Sequence, residues 1–537
     1  MVAATSSRAQ YGSLTDFAAR LQPAETFWGV VAGRADTTPD GVLLIGDDGT
    51  KVTFAEYRDR SERIAASLAE QGITPGSRVA WQLPTRIGSA LLIAALARIG
   101  AVQAPVIPLF GERETVAALR TSRVDFVLVP QDWPGLAYDS LQQLREDRQG
   151  SPEIIALPRD LPESGEVQSL APPPESPEEV RWIYFTSGTS GTPKGVQHTD
   201  SSILAAARGF VLNGRLGELP DEVGSIPFPI THVGGVVYLS SMLLSGFASV
   251  LIEVFRPDTA TEIFRRHRVT LSGGSTVFYT MLVAQQREAE PGTRVLPDLR
   301  LLKGGGAPCP PAVFAAVRSE LGIPVAHDYG MTECPMIGVA SPLDSDDVLA
   351  ESDGRPVPGV EVRIMENGVP VSPGAEGDVE VRGVTVCRGY TDPALDADAF
   401  TADGWYRTGD RGRIRSSGCI EVTGRLKDVI IRKGENISPL EIESLLSQHQ
   451  AIDEVAVIGL PDIDRGERVC AVLTVASGQQ APSLADIADF LSKAGIMKQK
   501  IPEQVEVVSS MPRSGVGKLA KPALRQQLLT KMETSTS

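Results

Sequence analysis

The spacing of apolar positions changes character several times along the chain, and each change marks a different piece of architecture. Residues 53–72 read as an amphipathic helix: Tyr57, Ile64, Ala65 and Leu68 share one face, Thr53 and Glu56 are spaced as a capping box, and Gly72 ends the run. Short apolar runs then alternate with helical segments, giving a strand over 78–83, a helix over 87–99, a strand over 101–107, a helix over 113–121 and a strand over 126–129. Alternation at that interval predicts parallel strands with helices on both faces, a doubly wound α/β sheet.

Residues 156–180 are rich in Pro, Ser and Glu, with Pro172, Pro173 and Pro174 in a row, and read as a surface connector. A second α/β alternation begins with a buried strand over 181–185 and runs to about residue 340. From about 342 to 424 the pattern shifts to short alternating strands punctuated by glycine, among them 360–365, 377–382 and 412–415. Beyond that, Ser438, Pro439 and Glu441 fit the N-cap, first turn and N3 of a helix reaching about residue 448. Strands over 454–460, 468–475 and 504–508 complete an α+β unit. The fold class is α/β: a large N-terminal domain over 1–426, comprising α/β subdomains at about 20–180 and 181–340 and a β-rich subdomain at about 341–424, followed by a small mobile α+β domain over 427–537.

Composition narrows the function. A chain of 537 residues is too long for one core. Its net charge of −16 argues against non-specific binding to nucleic acid or an anionic membrane, so anionic ligands must be held locally. The five cysteines (Cys309, Cys334, Cys387, Cys419 and Cys470) form no CxxC pair and fit a reducing, cytoplasmic setting. No signal segment or membrane span is expected, and the pattern sets no oligomeric state.

Candidate chemistry begins at residues 184–195, YFTSGTSGTPKG. Thr186, Ser187, Gly188, Thr189, Ser190, Gly191, Thr192 and Lys194 offer hydroxyl donors, amides that approach closely at glycine, and one cation, the elements of a phosphate cradle. The spacing is not that of a Walker A loop. The string resembles the phosphate-binding signature of the adenylate-forming superfamily, which includes acyl- and aryl-CoA synthetases, peptide-synthetase adenylation domains and luciferases. Further motifs follow in that family's order, so the resemblance spans about residues 25–525.

The resemblance implies a role for each motif. In KGGGAP (303–308), Gly304, Gly305, Gly306 and Ala307 flank the nucleotide and Gly305 the acyl group. In DYGMTE (328–333), Asp328, Tyr329, Gly330, Met331 and Thr332 meet adenine and phosphate, Glu333 takes magnesium, and Met331 borders the acyl pocket. Asp410 in WYRTGD and Arg425 in GRLKD hold the ribose, and Lys427 is the interdomain hinge. His232 in PFPITHVGG stands beside the substrate carboxylate with Gly234 and Gly235, whereas His198 has no clear role. Lys433, Gly434 and Glu435 in KGENISP line a pantetheine tunnel, and Lys518 in PRSGVGK is the catalytic lysine alongside Thr186, Glu333 and His232.

The implied activity is ATP- and Mg²⁺-dependent activation of a carboxylic acid through an acyl-adenylate, followed by transfer to CoA. A stand-alone adenylation enzyme serving a carrier protein, an amine or another non-thiol nucleophile is the alternative. Residues 273–278 read GGSTVF where relatives usually carry valine and proline before the threonine. Small residues at Gly234, Gly235, Gly273 and Gly274 suggest a roomy pocket for a cyclic, aryl or medium-chain acid.

Overall fold

The computed structural model describes residues 10–108, 110–132, 152–186, 193–274, 276–306, 309, 311–425, 430–437, 439–512 and 521–535. The chain forms two compact units, one built mainly from residues up to Gly424 and the other mainly from Arg425 onward. No helix among the described residues is long and apolar enough to cross a membrane.

In the first unit, the six-stranded sheet runs Glu153–Leu157, Phe126–Pro130, Arg78–Trp81, Val102–Pro105, Val180–Thr186 and Lys194–Thr199, the first five parallel. Helix Phe54–Glu70 opens with the expected capping box at Thr53 and Glu56. Its neighbour Ile87–Ile99 is buried from Ser89 to Ile99 and stops at Gly100, whose φ of +82° lets the chain turn off the helix. Strand Val42–Ile45 pairs in parallel with Ala248–Leu251, which pairs with Val223–Ile226.

These pairings correct the expected division near residue 180. Gln103 is in register with Trp182, and Leu44 with Ser249, so the two α/β regions exchange strands rather than standing side by side. Apolar strands buried on both faces carry no sequence mark of which neighbour they choose; local pattern sets the element and long-range packing sets the partner.

Two further sheets carry most of the motif residues. Leu271–Gly274, Leu301–Gly305 and Val325–Met331 run parallel, and Cys334–Val339 folds back antiparallel with Met331 opposite Cys334. Thr332 and Glu333 are therefore the two central residues of a tight hairpin turn. In the β-rich sheet, Val360–Glu366, Gly377–Gly383 and Tyr406–Ile414 pair antiparallel. Asp378 faces Arg411 while Glu380 faces Arg407, so residues 408–410 form a bulge, with Gly409 at a φ of +75°.

The second unit shows period-two burial. Along Ile452–Asp462 and Gly466–Val475, Val457, Val469, Ala471 and Leu473 enter one core with residues of helices Pro439–Leu446 and Leu484–Lys493. Ala456, Ile458, Cys470 and Val472 enter another with Leu524 and Leu528 of helix Lys521–Ser535. Helices thus cover both faces of an antiparallel pair.

Candidate active site

The hairpin turn at Thr332 and Glu333 is fixed from several directions. His198, on strand Lys194–Thr199, is fully buried and donates from Nε2 to the Thr332 carbonyl at 2.7 Å, while its Nδ1 meets Ser202 Oγ at 2.9 Å. Burial pushes its pKa down to about 4, so the ring is neutral and its one N–H faces Thr332. The Cys387 amide donates to the Glu333 carbonyl at 2.8 Å, and the Tyr390 hydroxyl donates to Glu333 Oε1 at the same distance. Glu333 is 8% exposed.

Asp410 occupies the bulge. The Thr408 hydroxyl donates to the Val379 carbonyl at 2.7 Å and accepts from the Asp410 amide at 3.1 Å, which sets the direction of the aspartate. Tyr329, on the strand entering the hairpin, donates its hydroxyl to Asp410 Oδ2 at 2.8 Å. Burial and then the neighbouring carboxylate push the Tyr329 phenol far up, so it remains a donor. The structure therefore brings together Tyr329, Thr332, Glu333 and Asp410, and it adds His198, Tyr390 and Tyr406, which no motif reading identified. Local sequence carries no signal for Tyr390, whose partner Glu333 lies 57 residues away.

The glycine-rich strand end lies beside this cluster, since Gly305 is in register with Asp328. A β-carbon at Gly304 would stand 2.0 Å from the Gly274 carbonyl oxygen, and one at Gly305 2.0 Å from that of Asp328. Those two glycines answer to close strand packing. Among the described residues, a β-carbon at Gly306 would meet nothing within 4 Å, unlike the other two.

Several expected contributions change. Asp328 is 4% exposed, and its Oδ1 accepts from Lys303 Nζ at 2.8 Å and from the Ala340 amide at 3.0 Å. Its carboxylate serves a buried ion pair rather than a ligand. A β-carbon at Gly330 would lie 2.1 Å from the Pro335 carbonyl oxygen, so glycine is required for the hairpin to close. At Gly235 the obstacle is the Ile230 carbonyl oxygen at 2.2 Å, and at Gly273 the Lys303 carbonyl oxygen at 1.7 Å. These residues do not make a pocket roomy; neighbouring main chain fills the space.

His232 caps helix Val233–Ser245, accepting the Gly234 amide at Nδ1 over 3.1 Å. Its loop is pinned by Thr85, which donates to the Phe228 carbonyl and accepts from the Ile230 amide, both at 2.9 Å. His232 is exposed at the surface, and desolvation by the protein near it lowers its pKa. The cap acts in the same direction and leaves Nε2 as the protonated nitrogen.

Thr186 ends strand Val180–Thr186 and Lys194 begins the next. Ser187 to Thr192, Ala307, Lys427 and Lys518 lie outside the described residues, as does the side chain of Arg425. Lys433, Gly434 and Glu435 belong to the second unit, where Lys433 (φ +49°) and Gly434 (φ +83°) form the two-residue turn between Ile430–Arg432 and Glu435–Ile437.

Residues 31–391 match the AMP-binding enzyme family, and residues 441–518 match the AMP-binding enzyme C-terminal domain. The medium-chain fatty-acid–CoA ligase of Escherichia coli (strain K12) is 30% identical over 526 residues, covering 93% of this chain and 89% of that protein. The salicyl-AMP ligase/salicyl-S-ArCP synthetase of Mycobacterium tuberculosis (strain ATCC 25618 / H37Rv) is 31% identical over 523 residues, 93% of this chain and 90% of its own length. Among solved structures, the amide bond synthetase of Marinactinospora thermotolerans superposes with a TM-score of 0.80 at 28% identity, covering 93% of this chain and 99% of that one. With both family matches in chain order and relatives aligned along almost its whole length, the chain belongs to the AMP-binding enzyme family.

Proposed function

We propose that the protein activates a carboxylic acid with ATP, through an acyl-adenylate and with release of pyrophosphate, and passes the acyl group to the thiol of CoA. The observation that carries this reading is the joining of a hairpin turn bearing Thr332 and Glu333, a bulge bearing Asp410 and a glycine strand end through the bonds of Tyr329 and Tyr390. Such an assembly offers a hydroxyl and an acid for phosphates and metal, an acceptor for ribose and a flat approach for a base.

In this reading, residues 186–192 with Lys194 and Thr332 hold the phosphates, Asp410 and Arg425 hold the ribose, and Tyr329 and Gly306 flank the adenine. Magnesium fits at Glu333, a hard oxygen donor; this cation takes one or two carboxylates and completes its shell with phosphate and water. Among the described residues no group of three or more His, Cys, Asp or Glu could hold a metal unaided, which suits an ion that arrives with ATP. When bound, it neutralises phosphate charge. His232 keeps Nε2–H available as a donor to the substrate carboxylate. A carboxylate oxygen attacks the α-phosphorus as the bond to pyrophosphate breaks, and Lys518 stabilises the charge gathering between the two groups.

For the second half-reaction, the second unit turns about Lys427 and brings the turn at Lys433, Gly434 and Glu435 to the pantetheine arm. The thiol loses its proton and its sulfur attacks the acyl carbon; AMP leaves. The acid is cyclic, aryl or medium-chain. The partly buried rings of Phe228 and Phe278 flank Gly274, and Phe278 packs edge-on against Phe255 at 4.8 Å, a lining that favours apolar acyl groups over acetate. Unpaired cysteines support a cytoplasmic location.

Pyrophosphate exchange over a panel of acids tests the first step, and product formation with CoA, a phosphopantetheinylated carrier protein or an amine tests the second. Exchange driven best by acetate or a free amino acid would refute the acid class. Adenylate without acyl-CoA for every active acid would transfer the acceptor role to the carrier, amine or other non-thiol nucleophile, a reading favoured by the relatives named for carrier loading and amide synthesis.

A further inference from the structure

Glu333 is held by a segment outside every motif considered so far. Residues 387–391 lie along strand Lys194–Thr199: the Arg388 amide donates to the Gln197 carbonyl at 2.8 Å, the Gln197 amide to Gly389 at 2.9 Å, and the Thr391 amide to Gly195 at 2.8 Å. Gln197 Nε2 donates to the Tyr390 carbonyl at 2.8 Å, and the Tyr390 amide to Asp396 Oδ1 at 2.9 Å. That segment therefore cannot shift relative to the strand that follows the phosphate loop. From it, Cys387 grips the Glu333 main chain and Tyr390 grips its carboxylate, both at 2.8 Å.

The phenol is suited to one task. Tyr390 is 4% exposed, its ring packs with Val196 and Cys387, and its hydroxyl meets that of Tyr406 at 3.1 Å. Tyr406 begins the strand that carries the Asp410 bulge, so the phenol pair also ties Glu333 to the ribose acid's strand. A glutamate has three rotatable side-chain bonds and two equivalent oxygens; anchoring one oxygen removes alternative orientations of the other.

We propose that Tyr390 is a positioning residue for the metal-binding carboxylate: its hydroxyl fixes Glu333 Oε1, so that the second oxygen is presented to Mg²⁺ in one orientation. This rests on the metal role of Glu333 proposed above.

Tyr390→Phe removes the hydroxyl and keeps the ring. The measurements are the Mg²⁺ concentration giving half-maximal pyrophosphate exchange, calorimetric binding of a non-hydrolysable ATP analogue with Mg²⁺ or with EDTA, and the melting temperature. The Mg²⁺ requirement should rise by about 10- to 100-fold, the range for loss of a group that orients a metal ligand. Binding in EDTA should stay unchanged. Tyr406→Phe, which spares the bond to Glu333, should shift the requirement less. Glu333→Gln should raise it, and Tyr390→Phe should add nothing in the Glu333→Gln background. If Glu333→Gln leaves the Mg²⁺ requirement untouched, the metal role itself fails and this inference with it. If Glu333→Gln raises it but Tyr390→Phe does not, or if the two penalties add in full, the positioning role alone is overturned. A Tyr390→Phe protein that unfolds, or loses binding in EDTA equally, assigns the hydroxyl to the fold and also overturns it.

Discussion

Lys303→Met isolates the part of the nucleotide region that the structure reassigns from ligand binding to support. Lys303 Nζ donates to Asp328 Oδ1 at 2.8 Å and to the Ala340 carbonyl at 2.7 Å, with side chains 1% and 4% exposed. Burial lowers the lysine pKa and raises the aspartate pKa, and each is offset by the other. Removing one partner of such a pair costs about 3 to 5 kcal/mol, because the remaining charge has no counterion. Asp328 has an escape: it can fold protonated. Starting from an unfolded pKa near 3.9, that proton costs about 4 kcal/mol at pH 7 and about 1.5 kcal/mol at pH 5.

The sign follows from proton counting. In the variant the folded state holds a proton on Asp328 that the unfolded state releases above about pH 4, so stability falls as pH rises through that range. Lys303→Met should be about 3 to 4 kcal/mol less stable than wild type at pH 7, and the deficit should shrink by up to about 2.7 kcal/mol by pH 5. Tryptophan fluorescence in denaturant reports this unit, since all five tryptophans (28, 81, 133, 182 and 405) precede residue 424. Lys303→Met/Asp328→Leu should recover most of the loss, because an apolar pair leaves no stranded charge. A deficit below about 1 kcal/mol at pH 7, or one equal at both pH values, would refute the claim that the pair carries uncompensated charge when broken.

Three other perturbations test the proposed chemistry. Lys518→Ala should lower pyrophosphate exchange by on the order of 10²-fold or more while sparing thioester formation from supplied acyl-adenylate; near-normal exchange would remove Lys518 from the first step. Asp410→Ala should weaken a non-hydrolysable ATP analogue by about 2 to 4 kcal/mol in calorimetry, since two ribose hydroxyls lose a charged acceptor; an unchanged affinity takes Asp410 out of the site. Gly434→Phe should abolish thioester formation and leave exchange intact, with Gly434→Asn as the control that shares the positive φ but carries a smaller side chain; a parallel fall of both activities in Gly434→Phe would contradict a separate tunnel.

The sequence was most legible where one local rule decides the outcome. The capping box at Thr53 and Glu56, the helix over Ile87–Ile99 and the alternating strands Ile452–Asp462 and Gly466–Val475 all follow from patterns within a few residues. The family resemblance singled out Glu333 and Asp410, and in the structure each accepts from a buried tyrosine hydroxyl. What it did not carry was the choice of partner: Val42–Ile45 beside Ala248–Leu251, or Tyr329 on Asp410, are settled by packing across hundreds or tens of residues.

Glycine shows where motif reading and physical reading part. A glycine-rich string looks like space left for a ligand, yet Gly235, Gly273, Gly304, Gly305 and Gly330 each lie where a β-carbon would strike main chain within about 2.2 Å. In the KGGG string, a β-carbon at Gly306 would meet no described residue within 4 Å. Glycine at the first five positions is therefore dictated by strands and turns that must approach closely, whatever the ligand. The specificity of the acyl site then cannot reside in those gaps. In the proposed reading it rests on side chains that border them, among them the partly buried rings of Phe228 and Phe278 at Gly274. The same reasoning separates the two acids from their support. Glu333 and Asp410 each give one oxygen to a buried tyrosine hydroxyl, whereas Asp328 is matched by a cation. A neutral phenol orients a carboxylate without offsetting its charge, whereas a buried lysine offsets it.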